Sequence, residues 1–249
     1  MQIVIHRLES ITSTNDAAAR MAREGAPEGT VVVAQEQTAG RGRHGRKWSS
    51  PAGGLYLSII LRPDLPFEDL RQMAFLAAVA SAEAVGQVSG LPARIKWPND
   101  VLLNARKVCG ILIEACLRFR PWRICSLRSV VVGFGINVNN QEFPPEISQA
   151  ATSIALEVGR PIAVEEVEEA LLSHLDARYS RYLAAGFAPI LSEWRNLDCT
   201  AGRQVTVSTA EGAIEGTAVE IDPHGDLIIE REDGIRTHVT AGDAVLRDT

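Results

Sequence analysis

Residues 37–61 read QTAGRGRHGRKWSSPAGGLYLSIIL, and the first part of this stretch, 40–47, places four Arg or Lys residues among three glycines. Glycine lets backbone N–H groups approach a ligand closely, and guanidinium groups add charge-assisted hydrogen bonds to phosphate or carboxylate. The last part, 55–61, is an apolar run typical of a buried strand. A basic cluster seen alone is more often a solvated loop. Together, the two parts predict an anion-binding loop anchored to a sheet.

The composition is that of an ordinary globular protein. The chain has 249 residues, of which 46% are hydrophobic and 22% charged, enough for one large core and a small second domain. A net charge of −6 argues against binding of nucleic acid or anionic membrane by the chain as a whole. No apolar run approaches the ~18 residues of a membrane span, and the N-terminus, MQIVIHRLES, is charged too soon for a signal peptide. We therefore expect a cytoplasmic protein.

The cysteines and histidines predict no metal centre and no disulfide framework. Cys109, Cys116, Cys125 and Cys199 show neither C-x-x-C nor zinc-ligand spacing. They are interpreted as buried or incidental thiols in a reducing compartment. The five histidines are scattered, so a transition-metal site built by the protein is not expected.

Strand and helix patterns alternate in the N-terminal part of the chain. Strands are predicted over 3–8, 30–35 and 55–61, and helices over 15–24 and 67–88. Ser13 or Thr14 can cap the first helix, which Gly25 ends. Locally, Ser13-Thr14-Asn15 is interpreted first as a helix cap, although hydroxyl and amide groups at a helix N-terminus also suit a polar ligand.

The segment 94–114, RIKWPNDVLLNARKVCGILIE, predicts strands separated by turns. Pro98 ends a short strand, and a second turn over 104–106 precedes the strand that runs to Glu114. Lys107 begins that strand, where a long cation can point into a cleft, although a surface lysine is the default for any single lysine. The arginine-rich segment 117–128 is interpreted as a solvated hairpin without chemistry.

The remaining chain predicts a buried strand over 129–138, helices over 164–184 and 187–196, and a second domain. SVVVGFGINV ends in Gly-x-Gly but lacks a third glycine and a following helix, so a dinucleotide-binding fingerprint is rejected. Short strands over 204–208, 213–221, 227–231, 236–240 and 244–247 predict a small SH3-like β-barrel. The predicted fold class is α+β, with a mixed β-sheet catalytic domain and packed helices over 1–197 and the barrel over 198–249.

Four motifs in order, GRGRHGRKW at 40–48, KWPND at 96–100, RKxxGILxE at 106–114 and GFGINV at 133–138, resemble the biotin–protein ligases over nearly the whole chain. The resemblance implies a class II synthetase-like fold and a ligase that forms a C–N bond. It implies that biotin and ATP, with Mg²⁺, form biotinyl-5′-AMP, from which biotin passes to a lysine of a biotin carboxyl carrier domain. A lipoate–protein ligase on a related scaffold is the alternative. Regulatory members carry an N-terminal DNA-binding domain, so this chain resembles the monofunctional form without a nucleic-acid partner; a homodimer stays open.

The resemblance also implies roles for individual residues. The residues implied to bind biotin are Ser13, Thr14, Asn15, Gln37, Gly40, Arg41, Gly42, Arg43, Lys107, Gly110 and Gly135. Those implied to bind the nucleotide are Arg41, Trp48, Asn99, Asp100, Lys107 and Asn137. Lys107 and Arg43 are the implied catalytic residues, with Lys107 holding the biotin carboxylate and the α-phosphate together. The loop over 40–47 is expected to be mobile until an anion orders it.

Overall fold

The computed structural model describes residues 1–120 and 123–247, and for 117–120 and 123–128 it describes the backbone alone. A mixed seven-stranded sheet has the order β1-β2-β3-β7-β6-β5-β4. Its strands are β1 (Val4–Ile11), β2 (Thr30–Gln37), β3 (Leu55–Leu61), β4 (Arg94–Lys96), β5 (Asp100–Leu103), β6 (Arg106–Arg120) and β7 (Arg123–Ile136). Only β1 and β2 pair in parallel among these described strands.

The helices cover both faces of this sheet. They are α1 (Thr14–Glu24), α2 (Gln72–Ser89), α3 (Ile154–Val158), α4 (Val164–Ala185) and α5 (Phe187–Leu197). Ala18 and Ala22 of α1 pack on Val32 and Ile60 at one face. The alanine-rich α2 is buried between the other face and α4 and α5, because small side chains let helices and sheet approach closely.

Several predicted boundaries are wrong by a few residues. The predicted helix 67–88 is a short 3₁₀ turn, Phe67–Asp69, followed by α2, and Gln72 bonds back to the Asp69 carboxylate at the break. The first two strands run to Ile11 and Gln37 because they pair with each other to their ends. Helix α3 was not predicted, since five residues are too few to show a 3.6-residue period. The predicted arginine-rich hairpin has its backbone in β6 and β7, while its side chains lie outside the described part.

The five predicted C-terminal strands are confirmed to within a residue or two. They are β8 (Gln204–Thr209), β9 (Gly212–Ile221), β10 (Leu227–Glu230), β11 (Arg236–Val239) and β12 (Asp243–Leu246). They form one antiparallel sheet of order β11-β10-β9-β8-β12. Within the described residues no pairing joins β11 to β12, so the sheet is not closed by hydrogen bonds and the SH3-like barrel is not confirmed.

The C-terminal sheet is packed against the end of the larger sheet that carries β4 and β5. The Trp97 N–H donates to Thr200 Oγ1 at 2.8 Å, and the Trp97 indole donates to the Gly225 carbonyl at 3.2 Å. Arg71 pairs with Asp226. One hydrophobic core runs through both sheets. The domain boundary at 197/198 stays a prediction, but the packing places the C-terminal strands next to the KWPND segment.

In the parts of the chain that the structure describes, no helix combines the length and the apolar character that crossing a membrane requires.

Candidate active site

Two glycines on adjacent strands form a flat strip at the centre of the candidate site. Gly110 on β6 pairs with Gly135 on β7. Gly110 also pairs with Asp100 on β5, and Gly135 with Tyr56 on β3. Cross-strand partners project from the same face of a sheet, so Asp100 and Tyr56 flank a strip with no side chains. We call Gly110 and Gly135 the glycine platform.

The indole of Trp48 lies on the glycine platform. A Cβ atom at Gly110 would come within 2.8 Å of Trp48 Cζ3, and a Cβ atom at Gly135 would overlap the indole nitrogen. Trp48 Nε1 is buried and has no hydrogen-bond partner among the described residues. The Lys107 ammonium lies 5.3 Å from the centroid of the ring, within the range of a cation–π contact. The platform is therefore shaped for a flat ring beside a cation.

Asp100 lies between two lysines at one end of the platform. Its Oδ1 is 2.5 Å from Lys107 Nζ, and its Oδ2 is 3.3 Å from Lys96 Nζ. Burial alone would raise the pKa of the Asp100 carboxyl, but the two ammonium groups outweigh burial and lower the pKa below its ordinary value. Two positive charges against one negative charge leave this end of the site net positive, which suits an anionic ligand.

We expect Asp100→Asn to make the free energy of unfolding less dependent on pH in the acid range. A carboxyl whose folded-state pKa lies below its unfolded value of about 3.9 stabilises the fold above that value, and the contribution is lost as pH falls through the folded pKa. The free energy of unfolding should therefore drop more steeply below about pH 4 in the wild type than in the variant. Urea unfolding across the acid range measures both curves, and parallel curves would contradict the coupling.

The N-terminus of α1 meets the end of β2 next to the platform. Gln37 Oε1 accepts the Thr14 N–H at 2.8 Å and the Thr14 hydroxyl at 3.1 Å, while Gln37 Nε2 donates to Ser50 Oγ at 2.9 Å. Gly40 fits against this group because a Cβ there would be 2.5 Å from both Ser50 Oγ and the Trp48 carbonyl oxygen. Predicted site residues from three segments thus converge in one polar pocket.

The carboxamide of Asn15 is held at both ends. Its Oδ1 lies 2.6 Å from the Ser58 hydroxyl, and its Nδ2 donates to Glu114 Oε2 at 2.7 Å. The buried side chain fits only because Gly133 has no Cβ atom. Ser58 also lies 2.8 Å from Thr14 Oγ1. Asn15 is therefore a fixed wall of the pocket whose carboxamide already has protein partners.

The loop over 40–47 is folded, and its arginines contact carboxylates and an amide of the protein itself. Arg41 Nη2 lies 2.7 Å from Asp16 Oδ1 and 3.0 Å from Glu114 Oε1. Arg43 Nη1 donates to Asn99 Oδ1 at 3.0 Å. These contacts supply counter-charges that the sequence did not reveal. The ordering of the loop by an anion stays a prediction.

Three predicted ligand-binding residues make bonds that support the fold. Ser13 caps α1, with its hydroxyl 3.5 Å from a backbone N–H of the first turn. The Gly42 N–H donates to a carbonyl of its own loop at 2.7 Å. Asn137 follows β7 and donates through Nδ2 to the Thr152 carbonyl at 3.0 Å. Their contacts with biotin or nucleotide stay predictions.

Sequence reasoning assigned no role to Ser58, Glu114 or Lys96, and all three are at the site. Ser58 had a usable signal, because a hydroxyl within a buried, mainly apolar strand needs a hydrogen-bond partner. Lys96 pairs in register with Asp100, a contact that becomes visible only when β4 and β5 are aligned. Glu114 ends an apolar run, but its bond to Asn15 spans two distant segments.

The described cysteines are structural thiols, as predicted. Cys109 and Cys116 are buried and Cys199 is half-buried, while the side chain of Cys125 lies outside the described part. Burial raises the pKa of Cys109 to about 12 and that of Cys199 to about 11, so both thiols stay protonated near neutral pH and are poor nucleophiles.

One group in the C-terminal domain, Asp222, Asp226 and His238, has ligand atoms within 4.8 Å of one another. Asp222 Oδ1 already accepts two backbone N–H groups, Oδ2 lies 3.3 Å from His238 Nδ1, and Asp226 pairs with Arg71. These bonds explain the cluster as a turn and domain contact, and we assign it no ion.

Comparison with protein families agrees with this fold and site. Residues 7–134 match the model of the Biotin/lipoate A/B protein ligase family, and residues 200–247 match the Biotin protein ligase C terminal domain. The first match spans the α1 cap, the loop over 40–47 and Gly110 of the glycine platform, and it ends within β7. The chain belongs to the biotin/lipoate A/B protein ligase family.

Among the individual relatives, those whose names state a cofactor are biotin ligases. The chain is 41% identical over 229 residues to the bifunctional ligase/repressor BirA of Bacillus spizizenii, covering 91% of this chain and 69% of the relative. It is 37% identical over 223 residues to the biotin–[acetyl-CoA-carboxylase] ligase of Paracoccus denitrificans, covering 87% and 90%. The biotin protein ligase of Aquifex aeolicus, solved in complex with biotin and ATP, superposes with a TM-score of 0.84 at 31% identity, covering 98% and 99%.

Proposed function

We propose that this protein attaches biotin to a lysine of a biotin carboxyl carrier domain through biotinyl-5′-AMP. The observation that carries the proposal is the glycine platform with the Lys107 ammonium at its end. The Trp48 indole on the platform offers a flat face, and Lys107 offers a cation beside it, as joining a carboxylate to a nucleotide requires. The Paracoccus relative and the Aquifex structure, both named as biotin ligases, support the choice of biotin.

In the first step, an oxygen of the biotin carboxylate attacks the α-phosphorus of ATP, and pyrophosphate leaves with the electron pair of the broken P–O bond. Two anionic groups must approach each other, so positive charge has to offset their repulsion. Lys107 is proposed to bridge the carboxylate and the α-phosphate after giving up its contact with Asp100. Lys96 remains within 3.3 Å of Asp100 and keeps that carboxylate paired.

In the second step, the amine of the acceptor lysine attacks the carbonyl carbon of the mixed anhydride. An amide forms, AMP leaves, and the amine loses its proton. Positive charge beside the leaving phosphate favours this step as well, so Lys107 is proposed to serve both. The name of the Paracoccus relative points to the carrier domain of acetyl-CoA carboxylase as the acceptor.

The polar pocket at the N-terminus of α1 is proposed to bind the ureido ring of biotin. The ring presents two N–H donors and one carbonyl acceptor, which match the hydroxyl and amide groups of Thr14 and Gln37. The rigid Asn15 wall, fixed by Ser58 and Glu114, would set the pocket's width. Trp48 is proposed to stack on the adenine, and Arg41 and Arg43 to close over the adenylate.

Mg²⁺ is proposed to arrive bound to the phosphates of ATP. The oxygens of Asp100 each face an ammonium group, and Asn99 Oδ1 accepts from Arg43. The oxygens of these two side chains therefore already have protein partners and do not form a binding site for the ion. A hard cation that keeps its water and phosphate ligands fits such a site.

The proposal is tested by incubating the full chain with biotin, MgATP and a purified carrier domain. Mass spectrometry should show one biotinyl group added to a single lysine of the carrier. Lipoate in place of biotin tests the alternative cofactor, and a carrier domain with that lysine changed to Arg is the control. Modification with lipoate alone, or no modification with either acid, would overturn the proposal.

We expect Arg43→Gly to make adenylate and leak it. The substitution removes the bond to Asn99 and adds backbone freedom, and a charge-assisted hydrogen bond contributes roughly 1.5–3 kcal/mol, or about 10–150-fold in adenylate release. The chain has three lysines, of which Lys96 and Lys107 pair with Asp100 whereas Lys47 is exposed. Leaked adenylate should therefore label Lys47 of the enzyme itself.

Peptide mass mapping after incubation with biotin and MgATP, without acceptor, checks this expectation. Arg43→Lys, which keeps the charge, is the matched control and should label far less. Equal labelling of wild type and both variants would show that Arg43 does not retain the adenylate.

A further inference from the structure

One carboxylate of the C-terminal domain contacts two arginines and one histidine of the loop over 40–47. Asp243, the first residue of β12, has Oδ2 2.8 Å from Arg46 Nη2 and 3.8 Å from His44 Nε2, and Oδ1 3.8 Å from Arg43 Nη1. Asp243 lies 197 positions after Arg46, so only the packing of the two domains brings them together. None of the four motifs that carry the family resemblance includes Asp243.

The position of Asp243 is fixed by its strand. Asp243 pairs in register with Ser208 on β8. At the preceding position, a Cβ on Gly242 would come within 2.6 Å of Val207 Cγ1 and 2.8 Å of the Ser208 carbonyl oxygen. Only glycine allows β12 to begin this close to β8. The carboxylate is therefore presented from a rigid edge instead of a free tail.

The charge of Asp243 matters because the guanidinium of Arg43 is largely removed from water. Its side chain is 23% exposed, and burial lowers the pKa of Arg43, against the opposing effect of Asp243 and Asp100. Arg43 and Arg46 repel each other, while the other partner of Arg43, Asn99, is neutral. In this part of the loop, Asp243 supplies the negative charge that offsets the repulsion between Arg43 and Arg46.

We propose that Asp243 is a positioning residue that favours the folded form of the loop over 40–47 before any ligand binds, so that an anion only has to complete the ordering. It retains Arg46 when Arg43 turns to the adenylate, and so slows escape of that intermediate. This inference rests on the proposed function for the identity of the intermediate. The C-terminal domain thus controls the site through one ion-pair cluster.

The first test needs no ligand and compares Asp243→Asn with Glu211→Gln, a matched loss of an exposed carboxylate in the turn between β8 and β9. Limited trypsin digestion at Arg41, Arg43 and Arg46 should be about five- to tenfold faster in Asp243→Asn and unchanged in Glu211→Gln. Thermal unfolding measured in parallel should agree among the three proteins. A rise in cleavage throughout the chain, with a lower melting temperature, would instead mean general destabilisation and would overturn the inference.

A charge exchange separates positioning from simple destabilisation. Arg46→Asp alone should loosen the loop as Asp243→Asn does, and the double variant with Asp243→Arg should restore slow cleavage at Arg41. Release of bound biotinyl-AMP, chased with excess unlabelled biotinyl-AMP in the absence of acceptor, should be faster in Asp243→Asn and slow again in the double variant. No recovery, or unchanged loop cleavage in Asp243→Asn, would refute the role of Asp243. Because cleavage is measured without ligand, it stays informative even if the substrate is not biotin.

Discussion

Lys107→Gln should lower the rate of adenylate formation by two to three orders of magnitude. Removal of one group that stabilises transition-state charge commonly costs about 10²–10³-fold, and Lys107 is the cation placed between Asp100 and the ring on the platform. The fold should persist, because the backbone N–H and carbonyl of Lys107 keep their bonds to Ala150 and Thr152. Single-turnover formation of biotinyl-AMP from biotin and ATP measures the effect.

Two comparisons sharpen the Lys107 experiment. Arg203→Gln removes an exposed positive charge far along the sequence in the C-terminal domain and should leave adenylation unchanged. Supplying preformed biotinyl-AMP isolates the second step, in which Lys107→Gln should also be slow if the ammonium serves both transition states. Adenylation within about threefold of wild type would remove Lys107 from the chemistry, since such a change is under 1 kcal/mol.

Site residues could be predicted where they lie close together within one sequence motif. Gly110 and Lys107 lie three positions apart in one motif, and the structure brings Gly110 beside Gly135 as two strands of one sheet would require. The α1 cap was likewise found from a helix start, whereas Gln37 was assigned by the family resemblance, since the predicted strand ended at residue 35. Whether these side chains bind biotin stays a prediction.

Other parts of the site depend on contacts that no local pattern encodes. Asp243 meets Arg46 only because Trp97 and Arg71 dock the C-terminal sheet beside β4 and β5. The sequence showed four repelling cations in a flexible loop, whereas the structure provides carboxylate partners for Arg41, Arg43 and Arg46. The barrel was an inference from strand lengths and turns, which fix the number of strands but not whether the two edge strands, here β11 and β12, pair.

Gly135→Val should reduce affinity for a non-hydrolysable biotinyl-adenylate analogue by at least about tenfold. A side chain here would displace the indole of Trp48, which lies on the platform and is proposed to stack on the adenine, and overpacking of a tight site costs about 1–3 kcal/mol, or roughly 5–150-fold. Valine suits a β-strand, so the sheet should form normally and the loss should fall on binding.

Gly86→Ala serves as the control for the effect of adding a side chain to a glycine. A Cβ at Gly86, within α2, meets only the Leu91 carbonyl oxygen, at 3.5 Å, and alanine favours a helix over glycine by about 1 kcal/mol. That variant should bind normally and unfold at the same or a higher temperature. Calorimetric titration of both variants with the analogue decides the matter. Wild-type affinity in Gly135→Val would mean that the position of Trp48 on the glycine platform does not matter for ligand binding, and the proposed stacking of Trp48 on the adenine would be wrong.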